Sequence, residues 1–177
     1  MTELFLPVLA GMSHLYVWTH ADIVAGDELL QAKQPYLNVP FFLARASVVI
    51  VLWGWAIGAL HRRLADADRP GSPSWSRLAR ASAAFLVLLG VTLSVASWDW
   101  IMSLEPEWYS TMYTVYVFAG AFQGGLAAIA LVADALERSG RIAPVPAATR
   151  HDLGKLLFAF STFWAYIWFC QLMLIWY

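Results

Sequence analysis

The chain has 177 residues, of which 60% are hydrophobic and only 13% charged, with a net charge of −1. Soluble domains carry roughly a quarter charged residues, so the composition excludes a folded water-soluble surface, and the near-neutral charge excludes nucleic-acid recognition by a basic face. The varied composition excludes disorder, and the single cysteine, Cys170, excludes an internal disulfide and a cysteine-ligated metal or iron–sulfur site.

A membrane-spanning helix takes about 20 apolar residues, and five stretches are expected to cross a bilayer. This predicts an all-α, polytopic transmembrane helix bundle forming a single transmembrane domain over residues 1–177. The first stretch, Leu4 to Trp18, is short and carries Pro7 in its first turns. Glu3 stands where a signal peptide has basic residues, so no cleaved leader is expected. The loop Thr19 to Pro40 is acidic, with Asp22, Asp27 and Glu28 against Lys33. The second span, Phe41 to Leu60, is interrupted by Arg45. A linker rich in Pro, Gly and Ser follows, His61 to Ser82, with Arg62, Arg63, Arg69, Arg77 and Arg80. The third span, Ala83 to Leu104, is interrupted by Asp99, and the loop Glu105 to Thr111 has acids but no base. Gln123 lies inside the fourth span, Met112 to Leu136. The next loop carries Arg138, Arg141 and Arg150. The fifth span, Leu153 to Tyr177, has Lys155 at its start and Gln171 near its end.

Lys and Arg of short loops stay cytoplasmic. The basic loops alternate with loops nearly free of base, which puts the N-terminus inside, Thr19–Pro40 and Glu105–Thr111 outside, and Trp18, Trp98, Trp100, Trp108 and Trp176 at the outer interface. The short first span and the apolar final LMLIWY lead to the expectation of a piece of a longer protein; the alternative is a small protein whose last residues rest among headgroups.

Ionisable groups within spans are costly and mark function by default. His14, Arg45 and Asp99 fall at similar depth near the outer face, at 1.5 Å rise per residue. Arg45 and Asp99 are thus candidate partners, with Asp99 as proton acceptor, Arg45 as its tuning partner and His14 as a relay. The alternatives are Arg45 snorkelling to headgroups and Asp99 reaching interfacial water. Gln123 and Gln171 are secondary candidates that also read as interhelical hydrogen-bonding groups. Of the four histidines only His14 lies clearly inside a span, which disfavours bis-histidine heme; no metal site is assigned. The small residues of Ala119–Gly125, AGAFQGG, indicate close helix packing.

Three stretches are more distinctive than composition: Tyr36–Arg45 (YLNVPFFLAR), Ser97–Thr111 (SWDWIMSLEPEWYST) and Leu153–Tyr177 (LGKLLFAFSTFWAYIWFCQLMLIWY). Together they resemble the membrane subunits of bacterial alternative complex III, of the type termed quinol:cytochrome c oxidoreductase quinone-binding subunit 2, in the NrfD-like, polysulfide-reductase-membrane-subunit superfamily. The resemblance covers nearly the whole chain from Leu4. It implies a subunit of about ten spans built around two four-helix bundles, of which this chain would hold the second four-helix-bundle core. It also implies residence in the bacterial inner membrane and a place in the respiratory electron-transport chain. The implied partners are a second NrfD-like subunit, a multiheme cytochrome and an iron–sulfur protein. Hemes and iron–sulfur clusters would sit on those partners, this chain would bind none alone, and menaquinol or ubiquinol would be the substrate. The function expected is therefore a non-heme membrane subunit of an oxidoreductase complex that anchors the periplasmic redox subunits and contributes to quinol contact or proton translocation. The rival class is a transporter or proton-conducting protein using the same buried polar residues.

Overall fold

The computed structural model describes residues 7, 8, 10–67 and 75–176; Leu4 of the expected first span, Arg69 of the first basic loop and Tyr177 lie outside them. The described residues are all-α, with no strand among them. The expected single domain divides into two compact units, Met1–Thr111 and Met112–Tyr177. In the first unit come α1 (Met12–Leu15), a 3-10 turn (Val17–Thr19), α2 (Ala21–Gly26), α3 (Glu28–Lys33), α4 (Val39–Ala67) and α5 (Trp75–Ala96). A π-helical turn (Ser97–Ile101) and a 3-10 turn (Met102–Leu104) continue α5. The second unit holds α6 (Tyr113–Arg138) and α7 (Ala147–Trp176).

Four of these helical segments are long and apolar enough to span a bilayer: Val39–Asp66, Ser76–Leu104, Tyr113–Arg138 and Ala147–Trp176. The 29 residues of α4 measure about 44 Å at 1.5 Å per residue, against a hydrocarbon core of about 30 Å. The chain is a multi-pass membrane protein. The expected first span, Leu4 to Trp18, is not a membrane-length helix among the described residues. Its helical turn α1 ends at Tyr16, whose backbone is extended at φ −112°, ψ 108°. A segment crossing lipid has to satisfy its backbone hydrogen bonds internally, which a chain leaving the helix at Tyr16 cannot do. Met12, Tyr16 and Trp18 of this stretch belong instead to a cap. They bury against Val24, Leu30, Leu37 and Phe42, with Trp100 and Leu104 packed alongside.

Local chemistry explains the cap's short elements. The Asp27 carboxylate accepts from the amides of Leu29 (2.8 Å) and Leu30 (3.3 Å) and starts α3. Asn38 Oδ1 accepts from the Phe41 amide (3.0 Å) and starts α4, with Pro40 in its first turn where no amide is missed. Along α4, Phe42, Ala46, Val49 and Ala56 are buried and Trp53 sits between them. Their spacing of four and three residues is that of a coiled-coil seam. The seam faces α5, where Trp53 Nε1 donates to Thr92 Oγ1 (2.7 Å) and Thr92 donates in turn to the Leu88 carbonyl (2.7 Å).

The second unit is an antiparallel hairpin on the same pattern. Helix α6 ends at Gly140, whose φ of 69° suits glycine, and the Arg141 amide closes onto the Leu136 carbonyl. The Glu137 carboxylate then takes the Val145 amide and Arg150, fixing the loop into α7. Between the helices Tyr116 stacks on Trp164 and Phe122 packs on Phe160, with centroids 5.3 and 4.4 Å apart. Gly120 lets Trp164 come close, because a Cβ there would stand 2.9 Å from Trp164 Nε1. Replacing Gly120 with Ala should therefore destabilise the protein by about 1–3 kcal/mol through overpacking. The drop would be read as a lower thermal midpoint in detergent. Gly124→Ala, with nothing within 4 Å of its Cβ position, should show no such loss.

Candidate functional site

The last turn of α5 is wider than an α-helical turn. The Met102 amide donates to the carbonyls of both Ser97 and Trp98, a π-bulge of the kind that recurs at functional sites. This turn carries Asp99, which is 1% exposed. From the early turns of α4, Arg45 reaches it with a two-pronged contact: Nε to Oδ2 at 2.6 Å and Nη2 to Oδ1 at 3.1 Å. Such forks are stronger than single neutral hydrogen bonds and fix orientation as well. The third guanidinium nitrogen, Nη1, donates to the Tyr36 carbonyl at 3.2 Å. The guanidinium carbon lies 3.9 Å from the Tyr36 ring centroid and 4.2 Å from that of Phe41. Arg45 is thus held by an anion, a carbonyl and two aromatic faces, with its side chain only 13% exposed.

The cap closes this end of the helix pair by satisfying carbonyls around the wide turn. The Tyr16 hydroxyl donates to Trp100 O (2.9 Å), Trp18 Nε1 to Ser103 O (3.2 Å), and the Ser103 hydroxyl to Asp99 O. Lys33 Nζ donates to Pro106 O and holds the following loop. Two tyrosines outside the spans feel the buried carboxylate. Burial first, and then the charge of Asp99, push Tyr16 up to about 12. Burial first, and then the Asp99 carboxylate, push Tyr36 up to about 12, with the Arg45 charge opposing. Beside Tyr36 opens a mostly apolar cavity of about 290 Å³, walled by Tyr36, Trp98, Met102, Trp108 and Tyr109 with Lys33 at one side.

The structure therefore joins Arg45 and Asp99, as their shared depth predicts, and excludes snorkelling as the fate of this arginine. His14 is not brought into the pair. It is exposed on α1, with Nδ1 3.4 Å from the neighbouring Ser13 hydroxyl. Gln123 Nε2 donates to Ser161 Oγ at 2.8 Å and ties α6 to α7. Gln171 Oε1 is buried without a hydrogen-bond partner among the described residues. No cluster of three or more His, Cys, Asp or Glu placed to hold a metal occurs among the described residues. Tyr36, Phe41, Tyr16 and Ser103 complete the site without having been singled out in the sequence. Phe41 did carry a usable signal, standing four residues before an intramembrane Arg, where a helix places it on the same face. Ser103 stands at the same spacing from Asp99. Tyr16 and Tyr36 arrive through the cap, which periodicity does not reveal.

No family model matches the chain, and no curated protein matches it.

Removing one member of a buried pair strands the other charge, at a cost of about 3–5 kcal/mol, whereas apolar replacement of both is often tolerated. Asp99→Ala and Arg45→Met should each lower unfolding stability in detergent by about that amount. The Arg45→Met/Asp99→Leu double variant should lose much less than the sum, and strict additivity would show that the contact does not couple the helices.

Proposed function

We propose that the chain is a non-heme membrane subunit of a quinol-oxidising respiratory complex, with the Arg45–Asp99 pair handling protons at the quinol-facing end. The observation carrying this reading is the buried fork between Arg45 and Asp99, whose arginine packs on Tyr36, a wall of an aromatic-lined cavity. Quinol oxidation releases protons and calls for an acceptor within reach of a flat apolar ring. Further support comes from the resemblance of YLNVPFFLAR, SWDWIMSLEPEWYST and the α7 sequence to alternative complex III membrane subunits. Beyond Lys155, helix α7 carries no charged residue and no polar face, which suits burial in lipid or among partner helices, as expected of an anchor for a second NrfD-like subunit, a multiheme cytochrome and an iron–sulfur protein. A transporter with a midplane solute site would use discontinuous helices, whereas the described spans run unbroken except at the terminal turn of α5.

The orientation that fits places Arg62, Arg63, Arg77, Arg80, Arg138, Arg141 and Arg150 in the cytoplasm, in a bacterial inner membrane. Residues 12–38 pack at the Trp100–Pro106 end of the first unit. They would therefore lie outside, on the side expected for Thr19–Pro40. In a Cys170→Ser background, a cysteine at Glu107 should react with an impermeant maleimide in intact cells and one at Arg141 should not; the reverse pattern sinks the orientation.

Asp99→Asn keeps the shape and removes the charge. In the assembled complex it should cut quinol-dependent turnover and coupled proton release by about 100-fold, the lower range of a lost general base, with subunit assembly intact. Unchanged turnover and proton release would defeat the functional reading.

A further inference from the structure

Past the Trp53–Thr92 bond, on the side away from Arg45 and Asp99, α4 and α5 enclose a groove of about 300 Å³. Its walls are apolar, with the small side chains of Ala56, Ala59, Ala81 and Ala84 leaving the space, and the one charged residue among them is Arg63. Each helix carries the line of the groove into an arginine. On α4, Arg63 follows Ala59 by four residues; on α5, Arg77 precedes Ala81 by four, a spacing that keeps side chains on one helix face. Both arginines are exposed. The ion pairs formed among the described residues use Arg45, Arg138, Arg150 and Lys155, so neither Arg63 nor Arg77 is neutralised by a carboxylate there. Residues 61–80 hold five arginines against two aspartates, so this end of the helix pair is positive as a whole.

Depth and length say what fits. Arg63 stands 18 residues after Arg45 on the same helix, about 27 Å along its axis, against a hydrocarbon core of about 30 Å. With Arg45 near one face of the bilayer, Arg63 lies at the headgroups of the other. The groove runs from Trp55 to Arg63, about 12 Å of rise. A packed spanning helix would need contact over most of the membrane thickness, whereas an acyl chain with its headgroup at Arg63 needs only this much. The hairpin of α6 and α7 supplies the contrast. Its groove of about 240 Å³ also has an arginine in the wall, Arg150, but Asp134 and Glu137 share that wall and Glu137 already binds Arg150. Similar in size, it has no charge left for an anion.

We propose that the groove between α4 and α5 is a binding site for an anionic phospholipid, with an acyl chain against the alanines and the phosphate-bearing headgroup on Arg63 and Arg77. Basic pockets between spans are recognised sites for such headgroups, and a guanidinium fork suits phosphate oxygens. A zwitterionic lipid carries the same phosphate together with a choline cation, which two arginines repel. The site therefore selects by headgroup charge while holding the chain by shape.

The test is native mass spectrometry of the full chain in detergent, titrated with dioleoylphosphatidylglycerol or with dioleoylphosphatidylcholine. The anionic lipid should bind about tenfold more tightly, the scale set by basic residues near a membrane surface. Arg63→Gln should cut that preference about fivefold, one arginine's share, while Arg141→Gln, in the other basic loop, should leave it unchanged. Ala84→Phe fills the groove and should weaken both lipids with little effect on their ratio. Equal binding of the two lipids by the unaltered chain would overturn the proposal. So would a preference that survives Arg63→Gln, one that falls equally with Arg141→Gln, or affinities that Ala84→Phe does not change. None of these outcomes bears on the respiratory reading, which stands or falls on turnover in the Asp99→Asn complex.

Discussion

The contact between Arg45 and Asp99 is the constraint around which the first unit is arranged. Two full charges near the end of a membrane span are costly to bury and are kept only where they are paired and hydrogen-bonded. A regular α-helical end to α5 would carry Asp99 at a different angle. The π-helical turn at Ser97–Ile101 widens the helix where Asp99 sits, and Arg45 meets both of its carboxylate oxygens. The tie also has an associative role. Lipid tails are as apolar as leucine, so spans gain little from hydrophobic contact with each other and depend on packing and interhelical polar bonds. The first unit has two such ties, Arg45–Asp99 and Trp53–Thr92. The hairpin of α6 and α7 has Gln123–Ser161 with the Gly120–Trp164 close approach.

The wide turn creates a second demand, because a disrupted helix end exposes carbonyls that the next turn no longer satisfies. The cap meets it. Tyr16 and Trp18 reach the carbonyls of Trp100 and Ser103, and the same two rings pack on Phe42 with centroids 5.3 and 5.4 Å away. Unlike the spans, this small core draws on burial from water, at about 25 cal/mol per Å² of apolar surface. The cap and the ion pair are thus one construction. Phe42 stands three residues before Arg45, so the helix face that receives the cap lies directly beside the charge it protects.

What the sequence disclosed and what it withheld divide along physical lines. Long apolar runs between basic and acidic loops identify α4 to α7 because a bilayer imposes a length that no other solvent does. Equal depth on antiparallel neighbours pointed to Arg45 and Asp99 because rise per residue is nearly constant. Leu4–Trp18 misled because apolarity alone does not distinguish a short span from a buried cap, and only the extended backbone at Tyr16 decides between them. Tyr36 was out of reach for another reason: it meets Arg45 through ring and carbonyl at once, and that combination depends on the angle at which the chain enters α4 after Asn38.

The surroundings of Arg45 bear on what Asp99 could do if it took up a proton. The fork engages each carboxylate oxygen once, and an ionised carboxylate has about four acceptor positions in all, so a proton could arrive without first dismantling the contact. Once it had arrived, a simple buried pair would leave the guanidinium without a counter-charge, at the cost that makes single truncations of such pairs severe. Here the cation would still face the rings of Tyr36 and Phe41 and the Tyr36 carbonyl. Cation–π contacts away from water contribute about 2 kcal/mol or more, which offsets part of that loss. The hold on Arg45 therefore does not rest on Asp99 alone: the rings of Tyr36 and Phe41 and the Tyr36 carbonyl share it.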